Sequence, residues 1–291
     1  MVNFAFSTIR YQFEALMEMD IPYFLGSSFR GIMGRRLKKT VCIKPFEECE
    51  KCEFKKTCPY SVIFETEITL NKPSKYVLKP PFEKRKLKAG ESIYLEITLL
   101  GETSNYWEFI SGSLIGKISL GKDKLLKLKE IHFYHPFEDK YYPVKSFVPT
   151  FEVKDFFNLK NSPEYLKIKL FPSSIKANNK IVKASEFDKD IFVKAVISRI
   201  SNVAKNYGIK DEKIFIDKNL FDISSLQLKP SPMKRWSNRK KKKMTIPAFE
   251  GDIELVGNLN QIFPYLKIIE VINIGKSVSF GLGRVKLLNE K

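Results

Sequence analysis

Two stretches decide how this chain is organised: "IGKISLGKDKLLKL", Ile115–Leu128, and "IGKSVSFGLGRVKLL", Ile274–Leu288. With one residue inserted, Gly116, Lys117 and Gly121 fall on Gly275, Lys276 and Gly281. Each copy follows an amphipathic stretch, "NYWEFISGSL" or "LNQIFPYLKII", and ends in a strand-like apolar run. A recurrence of this kind points to a duplicated unit of about 140 residues. The second copy is no P-loop, because no Gly-Lys-Ser/Thr closes it and opens a helix, and its glycines precede a strand, unlike those of a dinucleotide fingerprint. Glycines let backbone N–H groups approach a phosphate closely, and here Lys276 and Arg284 add charge.

The flanking sequence agrees with a repeat. Residues 2–13 alternate as a strand, with a phase slip at Ser7 and Thr8. "GSSFRGIMGRRLKKTV" places Phe29, Ile32, Met33 and Leu37 on one helical face behind an N-cap at Ser27 or Ser28. A strand over "ESIYLEITLLG", a helix over 104–115 and a strand over 124–134 complete the first half. In the second half come a strand in "EYLKIKLF", a helix capped by Ser185 and closed by Gly208, a hairpin over 233–256, a short helix at 258–267 and a last strand. Each half reads βαββαβ. The expected fold class is α+β, with tandem ferredoxin-like (RRM-like) domains and a four-cysteine metal-binding insertion in the first. Expected boundaries are 1–135 and 151–291, with the Pro-containing stretch 136–150 as linker.

The charge is lopsided: 51 Lys and Arg against 33 Asp and Glu, a net +18, in a chain of 291 residues. Such a field favours polyanions. The N-terminal "VNFAFSTIRYQFEALMEMD" carries Arg10 and Glu14 inside its apolar pattern, which no signal-peptide core tolerates. The expectation is a cytoplasmic protein with no membrane partner. In that reducing setting, Cys42, Cys49, Cys52 and Cys58, gathered in "CIKPFEECEKCEFKKTC", point to metal before disulfide. Zinc as a structural staple suits four thiolates around a C-x2-C knuckle, and an iron–sulfur cluster is the alternative.

From Lys229 to Met244, "KPSPMKRWSNRKKKKM" holds eight basic residues and no acidic one. Read as one strand, it puts Arg235, Arg239, Lys241 and Lys243 on one face and Lys234, Trp236, Lys240 and Lys242 on the other. A strand charged on both faces belongs at an edge or in a protruding ribbon. Lysines guard edges against aggregation, but eight charges exceed that need. Trp236 between Arg235 and Arg239 offers a platform for a base among phosphate contacts.

"RWSNRKKKKM", followed by an apolar helix and "GKSVSFGLGRVKLL", resembles the C-terminal half of CRISPR precursor-RNA-processing endoribonucleases of the RAMP superfamily. "LGSSFRGIMGRRLKKTVC", with the later "CEKC", "CPYSVIFET" and "KYVLKPPF", is similar to the first half of that family's cysteine-containing branch. The resemblance implies paired RRM-like domains that recognise a CRISPR repeat RNA, as hairpin or single strand, and cut it without a catalytic metal. It also implies RNA contacts at Gly275, Lys276, Ser277, Gly281, Gly283 and Arg284, beside Arg235, Trp236, Arg239, Lys241 and Lys243. Other CRISPR effector subunits are implied partners, and a homodimer is compatible. The alternative is a non-catalytic RAMP subunit that holds guide RNA.

Metal-independent cleavage turns the 2′-OH into the nucleophile, and needs a base, an acid and cations on the phosphorane. The chain has only two histidines, His132 and His135. Three apart on a strand, they point to opposite faces. The family's usual first-helix histidine is missing; Ser27, Ser28, Arg30, Arg35 and Arg36 stand there instead. The candidate catalytic residues are therefore His132, His135 and Arg30, with a lysine crowded by other cations as a substitute base.

Overall fold

The computed structural model describes residues 2–65, 72–159, 162–210, 213–237 and 241–288. The chain divides into a first unit, Ala5–Phe151, and a second, Met1–Phe4 with Glu152–Lys291. Both are α+β and share one topology.

In the first unit the elements are β1 (Val2–Ala15), α1 (Gly26–Val41), β2 (Tyr76–Lys79), β3 (Ser92–Leu100), α2 (Trp107–Leu114), β4 (Lys117–Gly121), β5 (Lys124–His135) and β6 (Lys140–Pro143). The sheet runs β2-β3-β1-β5-β4, with β6 beside β5. The chain order β1-α1-β2-β3-α2-β5 and the spatial order β2-β3-β1-β5 make the ferredoxin-like plan. Alternation in β1 explains the single covered face: Ile9, Tyr11 and Phe13 are buried with Phe29, Met33 and Leu37 of α1. The phase slip is real, since Phe6, Ser7, Thr8 and Ile9 are all buried.

The second unit holds β7 (Tyr165–Ser173), α3 (Lys189–Tyr207), β8 (Gly208–Lys210), β9 (Phe221–Pro230), β10 (Met233–Ser237), β11 (Lys242–Ile246), β12 (Phe249–Gly257), α4 (Phe263–Ile272) and β13 (Val285–Leu288). Its sheet order, β9-β12-β7-β13, repeats the first. Its core is built from Leu166, Ile168 and Leu170 of β7, Ile253 and Leu255 of β12, Phe192, Val196 and Ile200 of α3, and Leu266 and Ile269 of α4. The start of β1, Val2–Phe4, pairs with β8 and belongs to this unit.

Several local expectations change. Helix α1 starts before Ser27, at Gly26 with Leu25 as N-cap and no side-chain cap. Ser185 sits in a short 3-10 turn, and Asp188 caps α3 by accepting from Ile191 N at 2.7 Å. Residues 101–106 form a 3-10 turn ahead of α2. Helix α4 runs later than 258–267, because its apolar run continues to Ile272 behind a proline in the first turn. The stretch 136–150 lies in the first unit, where β6 pairs residue by residue with His132–His135. Strand β6 is only four residues, "KYYP", without alternation and closed by a proline, which is too short to read as a strand.

The hairpin differs most. The run "MKRWSNRKKKKMTI" does not pair with "AFEGDIELVGN"; its ends pair with each other, Met233 opposite Ile246 and Trp236 opposite Lys243. Strand β12 pairs instead with β9 and β7. The ribbon continues the β9–β12 ladder in one register, since Pro230 faces Phe249 and Ser231 N donates to Ala248 O at 2.8 Å. Pro230, Pro232 and Pro247 thus occupy non-hydrogen-bonded positions, where the missing N–H is not needed by the ladder.

A candidate nucleic-acid interface

The two faces of the β10–β11 ribbon are unlike. Met233 is buried and Arg235, Met244 and Ile246 are half-buried, whereas Pro232, Lys234, Trp236, Lys243, Thr245 and Pro247 are exposed. Lys243 therefore shares a face with Trp236 and Lys234, not with Arg235, because the chain turns back between them. Lys241 stands in that turn with φ 45°. Arg239 lies outside the described residues.

Arg235 ties the ribbon to the second glycine segment: its guanidinium lies 4.4 Å from the centroid of the Phe280 ring. Arg284 lies 5.0 Å from the Phe171 ring of β7 in the same manner. Lys276 N donates to Ser174 O at 2.8 Å, which sets the Lys276 side chain beside Lys176. Burial first, and then the Lys176 ammonium, hold the Lys276 amine below the ordinary lysine range. Phe280, Phe171 and Lys176 were missed by sequence reasoning. The one available signal was an aromatic residue inside a glycine-rich loop.

The glycines of this loop serve the chain itself. Gly275 has φ 75°, and a Cβ there would stand 2.5 Å from Ser174 O. On Gly283, at φ 76°, it would stand 1.8 Å from Ile274 O. Gly281, at φ 91°, closes the 3-10 turn Val278–Phe280 that opens at Ser277, itself left-handed. The N–H groups of Lys276, Phe280, Gly281, Leu282 and Gly283 all donate to backbone carbonyls. Close approach is required here, but by the protein's own backbone. The loop can offer a polyanion the side chains of Lys276, Ser277 and Arg284.

Residues 169–285 match the family model of the CRISPR-associated endoribonuclease Cas6. That stretch, the greater part of the second unit, is what in this chain is similar to a Cas6 domain. Residues 4–147 match a second model, described as an N-terminal domain. No curated protein matches the chain by sequence. Among solved structures it is similar to a Cas6 product complex, at 11% identity and TM-score 0.55, with 98% of this chain and 100% of that one covered. It is also similar to an RAMP protein binding different RNA substrates, at 14% identity and TM-score 0.54, covering 97% and 100%. A third likeness is to a chain of a partial Cas6-RT-Cas1–Cas2 complex, at 10% identity and TM-score 0.60, covering 98% of this chain and 46% of that one.

The ribbon, Arg235, Lys276 and Arg284 thus all lie in the stretch that matches the Cas6 model, and the catalytic candidates lie in the first unit. There they do not converge. His132 faces Arg10 across the β1–β5 ladder, on the side of the sheet opposite Tyr11 and Phe13. Helix α1 packs on the Tyr11 and Phe13 side, with Phe29 against Phe13 at 5.8 Å, so Arg30 and His132 are on opposite faces. Arg30 lies 5.7 Å from the Phe64 ring. His132 Nε2 is 3.4 Å from Glu130 Oε2, and His135 Nε2 is 3.3 Å from Glu138 Oε1. The His135 ring also stands edge-on to Phe151 at 5.0 Å. Arg36 is structural: it donates to the carbonyls of Ser113, Ile115 and Lys117 at 2.6–2.8 Å.

The four cysteines are half-buried and form no disulfide. Burial raises the Cys49 thiol, Lys38 partly offsets this, and Glu65, Cys42 and Cys58 raise it further, so three of the thiols are neighbours. Among the described residues no group of three or more His, Cys, Asp and Glu side chains converges as a metal site. Among those same residues no helix is long and apolar enough to cross a membrane.

Proposed function

We propose that this chain is a CRISPR RNA-processing enzyme of the Cas6 type, which binds CRISPR repeat RNA through residues 169–285, the stretch that matches the Cas6 model, and cleaves it, without a metal, into guide RNAs. The observation that carries the reading is the contact of Arg235 with Phe280, which joins the basic ribbon to the loop of Lys276 and Arg284. In that reaction the 2′-oxygen attacks its own phosphate, its proton passes to a base, and the 5′-oxygen of the next nucleotide leaves with a proton. The products are a 2′,3′-cyclic phosphate and a 5′-OH. The Lys276 amine gives up its proton more readily than an ordinary lysine, because burial and Lys176 disfavour its charge, and this suits it to a proton-transfer role. The test is a labelled repeat RNA incubated in EDTA beside the same RNA with one 2′-deoxy sugar. Cleavage at one site, abolished by the deoxy sugar, is expected; cleavage that persists with it sinks the mechanism.

The placement of Arg30 and His132 across the sheet from each other favours a second reading, a RAMP subunit that holds guide RNA without cutting it. Tight, salt-resistant binding with no product would select it.

For the cysteine segment the reading is one structural zinc ion held by Cys42, Cys49, Cys52 and Cys58, with an iron–sulfur cluster as alternative. Four half-buried thiols with no disulfide fit such a group chemically. Metal analysis of the purified protein should return one zinc per chain, lost in Cys49→Ser; iron with sulfide would select the cluster.

A further inference from the structure

The exposed face of the ribbon leads somewhere. Pro232 and Pro247, paired at its root, also line a cleft of about 770 Å³ within the second unit. Its walls are Val182 and Phe187 on one side and Leu226, Leu228 and Phe249 on the other. Along the same face of the ribbon come Lys234 and Thr245, then Lys243 and Trp236, whose indole is 55% exposed. From Pro232 to Trp236 is four strand steps, about 13 Å, which about two or three extended nucleotides cover. An apolar slot, a lysine pair and an exposed indole follow one another on one line.

The chemistry of the cleft selects its occupant. The walls are apolar and open, of a size that takes a base with its ribose. A peptide strand is disfavoured, because Pro230, Pro232 and Pro247 remove the N–H groups that would pair with it. The lysines along the approach, Lys183 at the rim and Lys234 and Lys243 on the ribbon, attract a polyanion and repel a basic peptide. We propose that this cleft takes one unpaired nucleobase of the bound RNA, while Trp236 stacks a second base and Lys234 and Lys243 hold the phosphates between. The inference rests on the RNA-binding reading and adds to it a site for a splayed-out base, away from the glycine loop, which lies against the ribbon's other face.

The test is binding of a labelled single-stranded repeat RNA in which one abasic nucleotide is stepped along the sequence, at moderately raised salt. In the wild type, one abasic position should cost about tenfold in affinity, within the range for a lost base contact. Ser185→Trp, at an exposed turn on the cleft, should bind the intact RNA about tenfold more weakly, with that position now silent and the salt slope unchanged. Leu226→Ala, which strips one wall without filling the space, should reduce the penalty at the same position only. A flat abasic profile in a wild type that binds RNA overturns the proposal. An unchanged profile in Ser185→Trp also overturns it, and assigns the cleft to a protein ligand. A wild type that binds no RNA would instead fail the proposed function itself.

Discussion

The two units answer one structural problem twice and with different materials. In each, the second helix ends two or three residues before a glycine, and an arginine of the first helix reaches across to carbonyls at or just beyond that end. Arg36 of α1 holds Ser113, Ile115 and Lys117, and Arg199 of α3 donates to Ile272 O at 3.0 and 3.3 Å. A cation at a helix C-terminus also meets the negative end of its dipole. Beyond the brace the units part. Gly116 has nothing within 4 Å of a would-be Cβ, and its segment runs into the hairpin of β4 and β5. Gly275 and Gly283 are wedged against backbone, and their segment folds into a knot of turns that presents Lys276 and Arg284. The lesson is that duplicated glycines diverged in what surrounds them: one remains a plain turn, the other shapes a surface.

The sharpest way to break that comparison is to give both glycines a methyl group. Gly275→Ala, at the counterpart of Gly116, forces an atom to 2.5 Å from Ser174 O and should destabilise the second unit by more than about 3 kcal/mol, visible as loss of its thermal transition. Gly116→Ala meets open space and should cost only the left-handed penalty, about 1–2 kcal/mol. Equal losses would dissolve the distinction.

The braces should differ less. Arg199 is 7% exposed, so Arg199→Ala strands a buried carbonyl and should cost about 2–3 kcal/mol in urea denaturation. Two of the three Arg36 bonds are solvent-exposed, so Arg36→Ala should cost about 1–2 kcal/mol.

Arg235→Leu should leave the melting curve within about 1 kcal/mol, because one cation–π contact is small, while lowering RNA affinity several-fold. An unchanged affinity would detach the ribbon from the glycine loop as one surface.

The smallest effect concerns pH. Phosphate contacts need the charged amine, so RNA affinity should fall as pH rises through the lowered pKa of Lys276, earlier than for an ordinary lysine. Folding changes in the opposite sense: the native state binds this proton less tightly than the unfolded chain, so stability rises over the same interval. Lys276→Arg should flatten the affinity profile, and a profile indifferent to it would remove Lys276 from the interface.

Much of the fold was legible because periodicity carries it. The buried stripe of α1 and the alternation of β1 are printed in the sequence, and the repeated glycine segment announced a doubled unit. What escaped depends on register. Nothing local says that Lys243 turns back to face Trp236, because the turn lies in a run of like residues whose every offset looks equally good. The glycine loop was read as a cradle for phosphate, yet the N–H groups of Lys276, Phe280, Gly281, Leu282 and Gly283 go to Ser174, Pro172 and the loop's own carbonyls, partners about a hundred residues away or folded under it. The opposite faces of Arg30 and His132 follow only from knowing which strand faces which.

The three prolines at the root of the ribbon have a last consequence. Each turns an outward-facing edge position into one that no additional strand can join, so the ribbon cannot recruit a third strand there. The sheet beneath is thereby insulated from whatever happens above it. Substitutions along the exposed face of the ribbon, at Lys234, Trp236, Lys243 or Thr245, therefore leave the ladder of β9 and β12 undisturbed.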